Sequence, residues 1–303
     1  MTPSKHGGIA ITGAAGWLGR ELFSALQEAE PDSDLLLLGR KSEIISLGTP
    51  SMTVHEWDSE ILPKSRPQTL VHLAYVTRER IHEFGVERYK EANFFLRMKV
   101  ESAINEAGIQ NLVVASSGAA LKSSTDPYAE FKADDEAFYR DLAQRHGINL
   151  VIARAWSLTG RYCTKPKEFL IYDVINQLLL GNTIIRLNSS ADVWRKYVDA
   201  GEYLRCCLSA VMNGWSGEIN SAGDLVEASD LVMLAAEALN QPATAVRPNW
   251  DPYAAPSLYL SNDSTMDDWF EKLGQPRSPL PTQIESIIQS FKNGAIALQP
   301  PQK

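Results

Sequence analysis

Cysteine is scarce in this chain: Cys163, Cys206 and Cys207 are the only three in 303 residues. An odd count, with two of the three adjacent on an expected helix, makes no disulfide framework and has no zinc spacing. A reduced, cytoplasmic setting is therefore expected. No cluster of His, Cys, Asp and Glu stands at metal-ligand spacing, and no metal is expected. Long apolar runs are missing as well. None approaches the ~18 residues that cross a bilayer, and MTPSKHGG has no apolar h-region ahead of the first strand. Neither a membrane association nor a secretory signal is expected. Basic charge is in deficit, with 29 Lys and Arg against 37 Asp and Glu and a net charge of −8. That argues against general nucleic-acid binding, but not against a small anionic ligand, which responds to local charge. What remains, 44% hydrophobic and 22% charged residues, is the composition of an ordinary soluble protein. It is long enough for a large core and two lobes, and it holds no internal repeat.

The organising stretch is IAITGAAGWLGRE, residues 9–21. Ile9, Ala10 and Ile11 read as a short buried strand. Gly13, Gly16 and Gly19 follow at G-x-x-G-x-x-G spacing, and Leu18, Leu22, Phe23 and Leu26 then recur at helical intervals. Strand, glycine turn and helix N-terminus together form a phosphate cradle. Glycines let the backbone turn sharply and approach a pyrophosphate, whose charge the free N–H groups and the positive helix end stabilise. The same glycines would also serve a tight strand-to-helix turn with no ligand.

Asp34 to Leu38 reads as a second parallel strand, ending in Gly39-Arg40-Lys41. At this place in a nucleotide fold, a carboxylate accepts from a ribose 2′-hydroxyl and an arginine accommodates a 2′-phosphate. Arg40 and Lys41 stand there without an acid. This favours NADP, with NAD as the alternative, unless the pair is a solvated basic turn. Val54 to Trp57 reads as a third strand leading to Asp58, a position for the adenine edge. Thr69 to Tyr75 (TLVHLAY) is a buried strand whose end, at Leu73 and Ala74, would pass under a cofactor; His72 within it reads as a packed histidine. A helix is expected from Ile81 to Ala107, with Asn93 bridging to the neighbouring strand. Its Phe94, Phe95 and Met98 are expected in the core by default, with a helix-bundle dimer face as the alternative.

Gln110 to Gly118 (QNLVVASSG) is the next strand, and it delivers Ser116 and Ser117 to its C-terminal end, where ligands sit in open α/β sheets. Pro127 suits a first helical turn. Tyr128 and Lys132 then fall at i and i+4 on one helical face. A tyrosine near its free pKa of about 10 is a poor base at neutral pH. An ammonium one turn away favours the phenolate, so that the tyrosine can move a proton to or from a substrate oxygen, which Ser117 would also hydrogen-bond. Alone, Y-x-x-x-K is a common surface pair. After a glycine cradle and a strand ending in Ser-Ser, the functional reading prevails.

With these motifs on one chain, the sequence resembles the extended short-chain dehydrogenase/reductase family, in the branch of NAD(P)-dependent epimerases and dehydratases that modify nucleotide sugars. The resemblance runs nearly end to end. It rests on GAAGWLG, the VHLA strand, Asn93, the SSGA strand end and Tyr128-x-x-x-Lys132. It continues through LVIARAWSLTGRY (150–162), WRKYVDAGEYLRCCL (194–208) and GEINSAGDLVEASDLVMLAAEAL (217–239). SSGA, YAEFK and GRYCTKPKEFLIYDVINQLLLG resemble a subgroup associated with bacterial surface-polysaccharide sugars.

The resemblance implies an α/β fold: a Rossmann-type doubly wound parallel sheet over residues 1–158. A smaller C-terminal α/β substrate lobe follows over 159–303, with some segments returning to the first domain. It implies a nucleotide sugar as substrate, a cytoplasmic homodimer, and no nucleic-acid partner. Tyr128 becomes the catalytic acid/base, Lys132 its partner and a donor to the nicotinamide ribose, and Ser117 the group that polarises the sugar oxygen. Gly13, Gly16, Trp17, Leu18, Gly19, Arg40, Lys41, Leu73, Ala74, Asn93, Ser116, Tyr128 and Lys132 are the implied cofactor contacts. Ser117, Ser157 and Arg195 are the implied substrate contacts. Arg195 would hold the nucleotide diphosphate through its planar fork, or is a surface arginine capping a neighbouring element.

Two departures from the family pattern matter. Ten residues separate Ser117 from Tyr128, a shorter loop than is usual there. Gly118 and Ala119 stand where sugar 4,6-dehydratases carry an acidic pair, which argues against elimination of water. Two reactions share the remaining apparatus: NADPH-dependent 4-keto reduction, which Arg40 and Lys41 favour, and epimerisation with tightly bound NAD. A non-catalytic NADP-binding sensor is a third reading, against which the intact Ser117, Tyr128 and Lys132 speak. The remainder, from about Pro242, carries Pro-rich connectors, short helices at Met266–Leu273 and Thr282–Lys292, and a tail, ALQPPQK, expected to fray.

Overall fold

The computed structural model describes residues 8–47, 51–58, 60–121 and 126–299. Much of the shortened loop before Tyr128, and the end of the tail, therefore lie outside the described residues. The elements begin with β1 (Ile9–Thr12), α1 (Trp17–Ala29), β2 (Leu35–Gly39), β3 (Glu43–Ile45), β4 (Met52–Glu56), α2 (Ile61–Ser65) and β5 (Thr69–His72). Next come α3 (Arg80–Phe84), α4 (Val86–Ala107), β6 (Asn111–Ser117), α5 (Pro127–His146), β7 (Asn149–Ala155) and β8 (Ser157–Thr159). They continue with α6 (Leu170–Leu179), β9 (Ile184–Arg186), β10 (Val193–Asp199), α7 (Ala200–Met212), β11 (Gly217–Asn220) and β12 (Asp224–Glu227). The last are α8 (Ala228–Ala238), β13 (Thr244–Val246), β14 (Ser257–Tyr259), α9 (Thr265–Leu273) and α10 (Leu280–Lys292).

The chain divides into two compact units. One runs up to Ala155 and takes in Leu204–Asn220; the other comprises Trp156–Tyr203 and the chain from Ser221 onward. In the first unit, eight strands among the described residues form one sheet in the order β11-β7-β6-β5-β1-β2-β4-β3. Every pairing from β11 to β4 is parallel, and only the edge strand β3 runs antiparallel. The order reverses between β1 and β5, which makes that pair the switch point of the sheet. Strands buried on both faces need apolar residues at every position, and β1, β5 and the middle of β6 are buried throughout.

Alternation sends Ala10, Leu38, Leu70, Leu112, Val114 and Ile152 to one face, where they pack with Leu62 of α2, Val100 and Ile104 of α4, and Leu142 of α5. The neighbouring Ile11, Val71, Val113 and Val151 point the other way and are fully buried. The helix expected over 81–107 is interrupted. Gly85, at φ +79°, ends α3 and opens α4, a backbone conformation that glycine reaches without steric cost.

The second unit has a four-stranded sheet in which β10 pairs antiparallel with β12 and parallel with β14 and β8. A short parallel pair, β13 and β9, lies apart from it. Helices α6, α8 and α10 pack on one another through buried Ile171, Ile175, Leu231, Ala235, Ile284 and Ile287.

Candidate active site

Three strand ends of the first unit build the glycine turn. Gly13 leaves β1 at φ +70°, and a Cβ there would lie 2.6 Å from the backbone N of Ala74, just past the end of β5. The two ends at the switch point thus meet backbone to backbone, and only glycine fits. The Ala14 N–H donates to Leu38 O of β2 (3.0 Å) and the Gly16 N–H to Gly13 O (2.9 Å). Gly19, on the first turn of α1, lets the helix approach so closely that a Cβ would stand 2.5 Å from Gly13 O. Helix α1 begins at N-cap Gly16 with no side-chain cap and no acid in its first turn. Its first-turn N–H groups therefore meet neither a side-chain cap nor a first-turn carboxylate, which suits an anion. The donor set and the glycine cradle fit a dinucleotide pyrophosphate. Trp17 and Leu18 are half-buried on the same turn, and the Trp17 indole N–H donates to Glu21 (2.8 Å).

Under the end of β5, His72 is buried and exchanges a hydrogen bond with Thr12 Oγ1 (2.8 Å). Burial, with the Lys132 charge nearby, pulls its pKa down to about 3, so it is a neutral packed histidine. Leu73 and Ala74 follow, half-buried. Asn93 reaches this loop from α4: its Oδ1 accepts from Val76 N–H (2.8 Å), and its Nδ2 donates to Val76 O (3.2 Å) and Tyr89 O (3.1 Å). Asn93, expected to bridge to the neighbouring strand, instead ties α4 to the loop after β5 through both ends of its amide.

Helix α5 starts where its sequence says it should. Asp126 caps it by accepting from Tyr128 N–H (3.1 Å), Pro127 occupies the first turn, and Gly147 ends it at φ +63°. Tyr128 therefore sits in the first turn and Lys132 in the second. Lys132 is 4% exposed. Its Nζ donates to Ala115 O of β6 (3.0 Å), lies 3.6 Å from Asp135 Oδ2, and rests 3.3 Å from the centroid of the Tyr75 ring. Burial pulls its pKa down to about 8, while Asp135 acts in the opposite direction. The Tyr75 ring also meets the Tyr128 ring edge-on at 6.1 Å, and its hydroxyl is 2.6 Å from that of Tyr89. Burial pushes the Tyr75 and Tyr89 phenols well up.

The two serines of β6 divide. The Ser116 hydroxyl donates to Glu136 Oε1 (2.7 Å), in a buried cluster with Arg154 of β7. Ser117, at the strand end, accepts from Ala119 N–H (3.2 Å) as the chain enters the 3₁₀ turn Gly118–Leu121. At the other margin, Arg40 and Lys41 follow β2 and are exposed, and Lys41 pairs with Glu43 (3.3 Å). Glu56 of β4 stands opposite Gly39 in register. Asp58 Oδ1 accepts from the Glu60 and Ile61 N–H groups (2.9 Å each) ahead of α2.

Ser157 and Arg195 belong to the second unit. Arg195 stands opposite Tyr259 and Tyr197 opposite Ser157, so alternation places Arg195, Tyr259 and Ser157 on one face of that sheet. The Arg195 guanidinium donates to Trp194 O (2.8 Å) and Ser257 O (3.2 Å) and lies 5.6 Å from the Tyr259 ring centroid. Trp156 packs on the same ring at 5.0 Å. Sequence reasoning missed Tyr75, Asp135 and Arg97 in the first unit and the Trp156–Tyr259 pair in the second. Only Asp135, one turn from Lys132, left any signal in the spacing.

Residues 9–241 match the model of the NAD dependent epimerase/dehydratase family. The mouse dTDP-D-glucose 4,6-dehydratase is 21% identical over 96% of this chain and 92% of its own length. Among solved structures, the fold is shared with the UDP-N-acetylglucosamine 4-epimerase of Methanobrevibacter ruminantium in complex with UDP-N-acetylmuramic acid. That match has a TM-score of 0.73 and 19% identity, and covers 96% of this chain and 100% of the other. RMD of Pseudomonas aeruginosa complexed with NADPH matches at a TM-score of 0.71 and 18% identity, covering 95% of this chain and 99% of the other. The doubly wound sheet, the glycine turn at its switch point and a family match across most of the chain lead to one conclusion: this protein belongs to the NAD dependent epimerase/dehydratase family, a family of enzymes.

Proposed function

We propose that the protein is an oxidoreductase acting on a nucleotide-activated sugar, and that its reaction is NADPH-dependent 4-keto reduction. The observation that carries the oxidoreductase reading is the α5 pair: Tyr128 in the first turn, with Lys132 one turn on, buried and within reach of Ala115 O at the end of β6. A buried cation one turn from a phenol lowers the cost of the phenolate, which is what a proton-moving tyrosine needs. A nicotinamide dinucleotide supplies the hydride in such a reaction. In this chain Gly13, Gly16, Trp17, Leu18 and Gly19 would hold its pyrophosphate, Leu73 and Ala74 would lie beneath it, and Asn93 and Ser116 would brace those walls. Tyr128 would move the proton at the sugar oxygen, with Ser117 as second donor to the same atom. The first unit is thus read as the dinucleotide domain. The second is read as the substrate lobe, with Arg195 and Ser157 for the nucleotide diphosphate and sugar.

NADPH is favoured by Arg40, which is exposed directly after β2 and can meet a 2′-phosphate. Glu56, opposite Gly39 at the same sheet end, supports the second reading, an epimerase that retains NAD, because a carboxylate there would repel that phosphate and accept from a 2′-hydroxyl. Calorimetric titration of nucleotide-free protein with NADPH and NADH separates the two. Tighter NADPH binding that is lost in Arg40→Ala supports the reductase; tighter NADH binding, lost in Glu56→Gln, supports the epimerase. Turnover of a panel of UDP- and dTDP-linked sugars and their 4-keto forms, abolished in Tyr128→Phe, is expected. Turnover that survives Tyr128→Phe would refute the enzymatic assignment of that residue.

A further inference from the structure

We propose that Asp135, clamped by Arg97, is a positioning residue that keeps Lys132 an ammonium at its buried place beneath Tyr75. The inference deepens the reading above, since it matters to function only if Lys132 serves Tyr128.

The geometry forms a relay of fixed charges. Asp135 turns one oxygen to Lys132 Nζ (3.6 Å) and the other to Arg97 Nε (2.5 Å). Arg97 cannot swing away: its guanidinium lies 4.1 Å from the Phe131 ring centroid and 5.5 Å from that of Phe138, and its Nη2 donates to Phe131 O (3.3 Å). Lys132, Asp135 and Arg97 are each under 10% exposed. An ammonium in such a place must be compensated by protein groups or lose its proton. The adjoining cavity holds about 10 Å³, room for about one water, so most of that compensation falls to protein groups.

Among the charged and titratable groups around Lys132, Asp135 is the chief compensating charge and Glu136 a smaller one. Tyr128, one turn earlier on α5, is neutral as a phenol and supplies no negative charge unless it ionises. From β5 and the loop after it, His72 is neutral and Tyr75 offers its ring face. From α4, Arg97 is itself a cation. On α5, Glu136 spends its oxygens on Ser116, Arg154 and Arg140, and Tyr139 is a buried phenol whose burial holds it protonated. The Ala115 carbonyl dipole and the Tyr75 quadrupole help a cation, but neither carries charge. Without Arg97, the carboxylate would have one cation and freedom to rotate; with it, the second oxygen is fixed toward Lys132.

The test reads Lys132 directly. Protein labelled with ¹⁵N-lysine is titrated by NMR through its Hε–Nζ correlations, with the Lys132 signal assigned by its loss in Lys132→Met. The wild-type midpoint is expected at about 8. In Asp135→Asn it falls by about one to three units, the size of an opposite charge within a few ångströms, and in Asp135→Glu it returns toward the wild-type value. The double variant Asp135→Asn/Arg97→Met removes both charges and leaves no unpaired buried ion. It is the arm to read if the single variant does not fold, and its midpoint falls by a smaller amount. A Lys132 midpoint unchanged in Asp135→Asn, or in the double variant where the single one is unfolded, overturns the proposal. The titration needs neither substrate nor cofactor. If the shift is found while no nucleotide sugar is turned over, the enzymatic reading fails and the role of Asp135 stands.

Discussion

Gly13 and Gly147 offer a controlled pair for weighing what the glycine turn demands of the chain. Both have positive φ, +70° and +63°, and both lie in the first unit. At Gly147 an added Cβ would meet nothing within 4 Å, whereas at Gly13 it would meet Ala74 N at 2.6 Å and Ala74 Cα and Leu73 C at 2.8 Å. Gly147→Ala should therefore lose only the left-handed conformational term, about 1–2 kcal/mol. Gly13→Ala carries that term and a clash with backbone atoms of a central strand end, which cannot rotate aside as a side chain would. Overpacking of that kind adds about 1–3 kcal/mol, for a total of about 2–5 kcal/mol. Against a domain stability of roughly 5–15 kcal/mol, this is a large fraction. Urea unfolding followed by far-UV circular dichroism gives both values from the midpoints at a common slope. Losses equal within about 0.5 kcal/mol, the ordinary scatter of neutral substitutions, would show that β1 and β5 do not meet as described, and the geometric case for the turn would fall with them.

His72 supplies a pH-dependent prediction. Its folded pKa, about 3, lies below the ordinary 6.5, so between those values the unfolded chain binds a proton that the folded protein refuses. Stability contributed by the neutral ring is present above about pH 6.5 and is lost by about 1.4 kcal/mol per unit as pH falls toward 3. His72→Gln should therefore cost about 2 kcal/mol less at about pH 5 than at pH 7; an equal cost at both would place His72 in contact with water. Asn93→Ala removes three hydrogen bonds to Val76 and Tyr89 and should cost about 1–3 kcal/mol. It should also speed amide exchange in residues 73–77, and unchanged exchange there would mean that the loop holds itself.

The fold was legible because its physics is local. Strands buried on both faces print continuous apolar runs, and the glycine turn and the Pro127 helix start each use residues with one strong conformational preference. Misreadings arose where one residue type serves two purposes. Gly85 sits within a helical pattern and gave no sign that its φ would be positive. Asp58, read at an adenine edge, also accepts from the Glu60 and Ile61 N–H groups at the start of α2. Arg195 had two sequence readings, and its guanidinium engages strand carbonyls. The three-residue strands β9, β13 and β14 are too short for any period to show. Lys132 could be named from spacing, but its surroundings could not. Tyr75 and Arg97 reach it from distant parts of the chain, and Asp135 lies in KADDEAF, a string that reads as a solvated face.

That string makes α5 unusual. Lys132, Asp135 and Glu136 are all under 7% exposed on one helix, although buried ions generally stabilise less than apolar residues of the same size. Glu136 shows why they hold: burial alone would raise its carboxyl pKa, yet hydrogen bonds from Arg154 and Ser116 outweigh that and hold it below the ordinary value. The two carboxylates face different neighbours. Glu136 ties α5 to β6 through Ser116 and to β7 through Arg154, while Asp135 ties it to α4 through Arg97. An apolar interface accepts any slide after which its shapes still interlock, since its contacts have no direction. Directional ion pairs on adjacent positions do not, since a slip of one residue, about 1.5 Å along and 100° around the axis, would turn both carboxylates from their partners at once. The buried charges thus set the register of α5 against the sheet, and with it the position of Tyr128 and Lys132 relative to the end of β6.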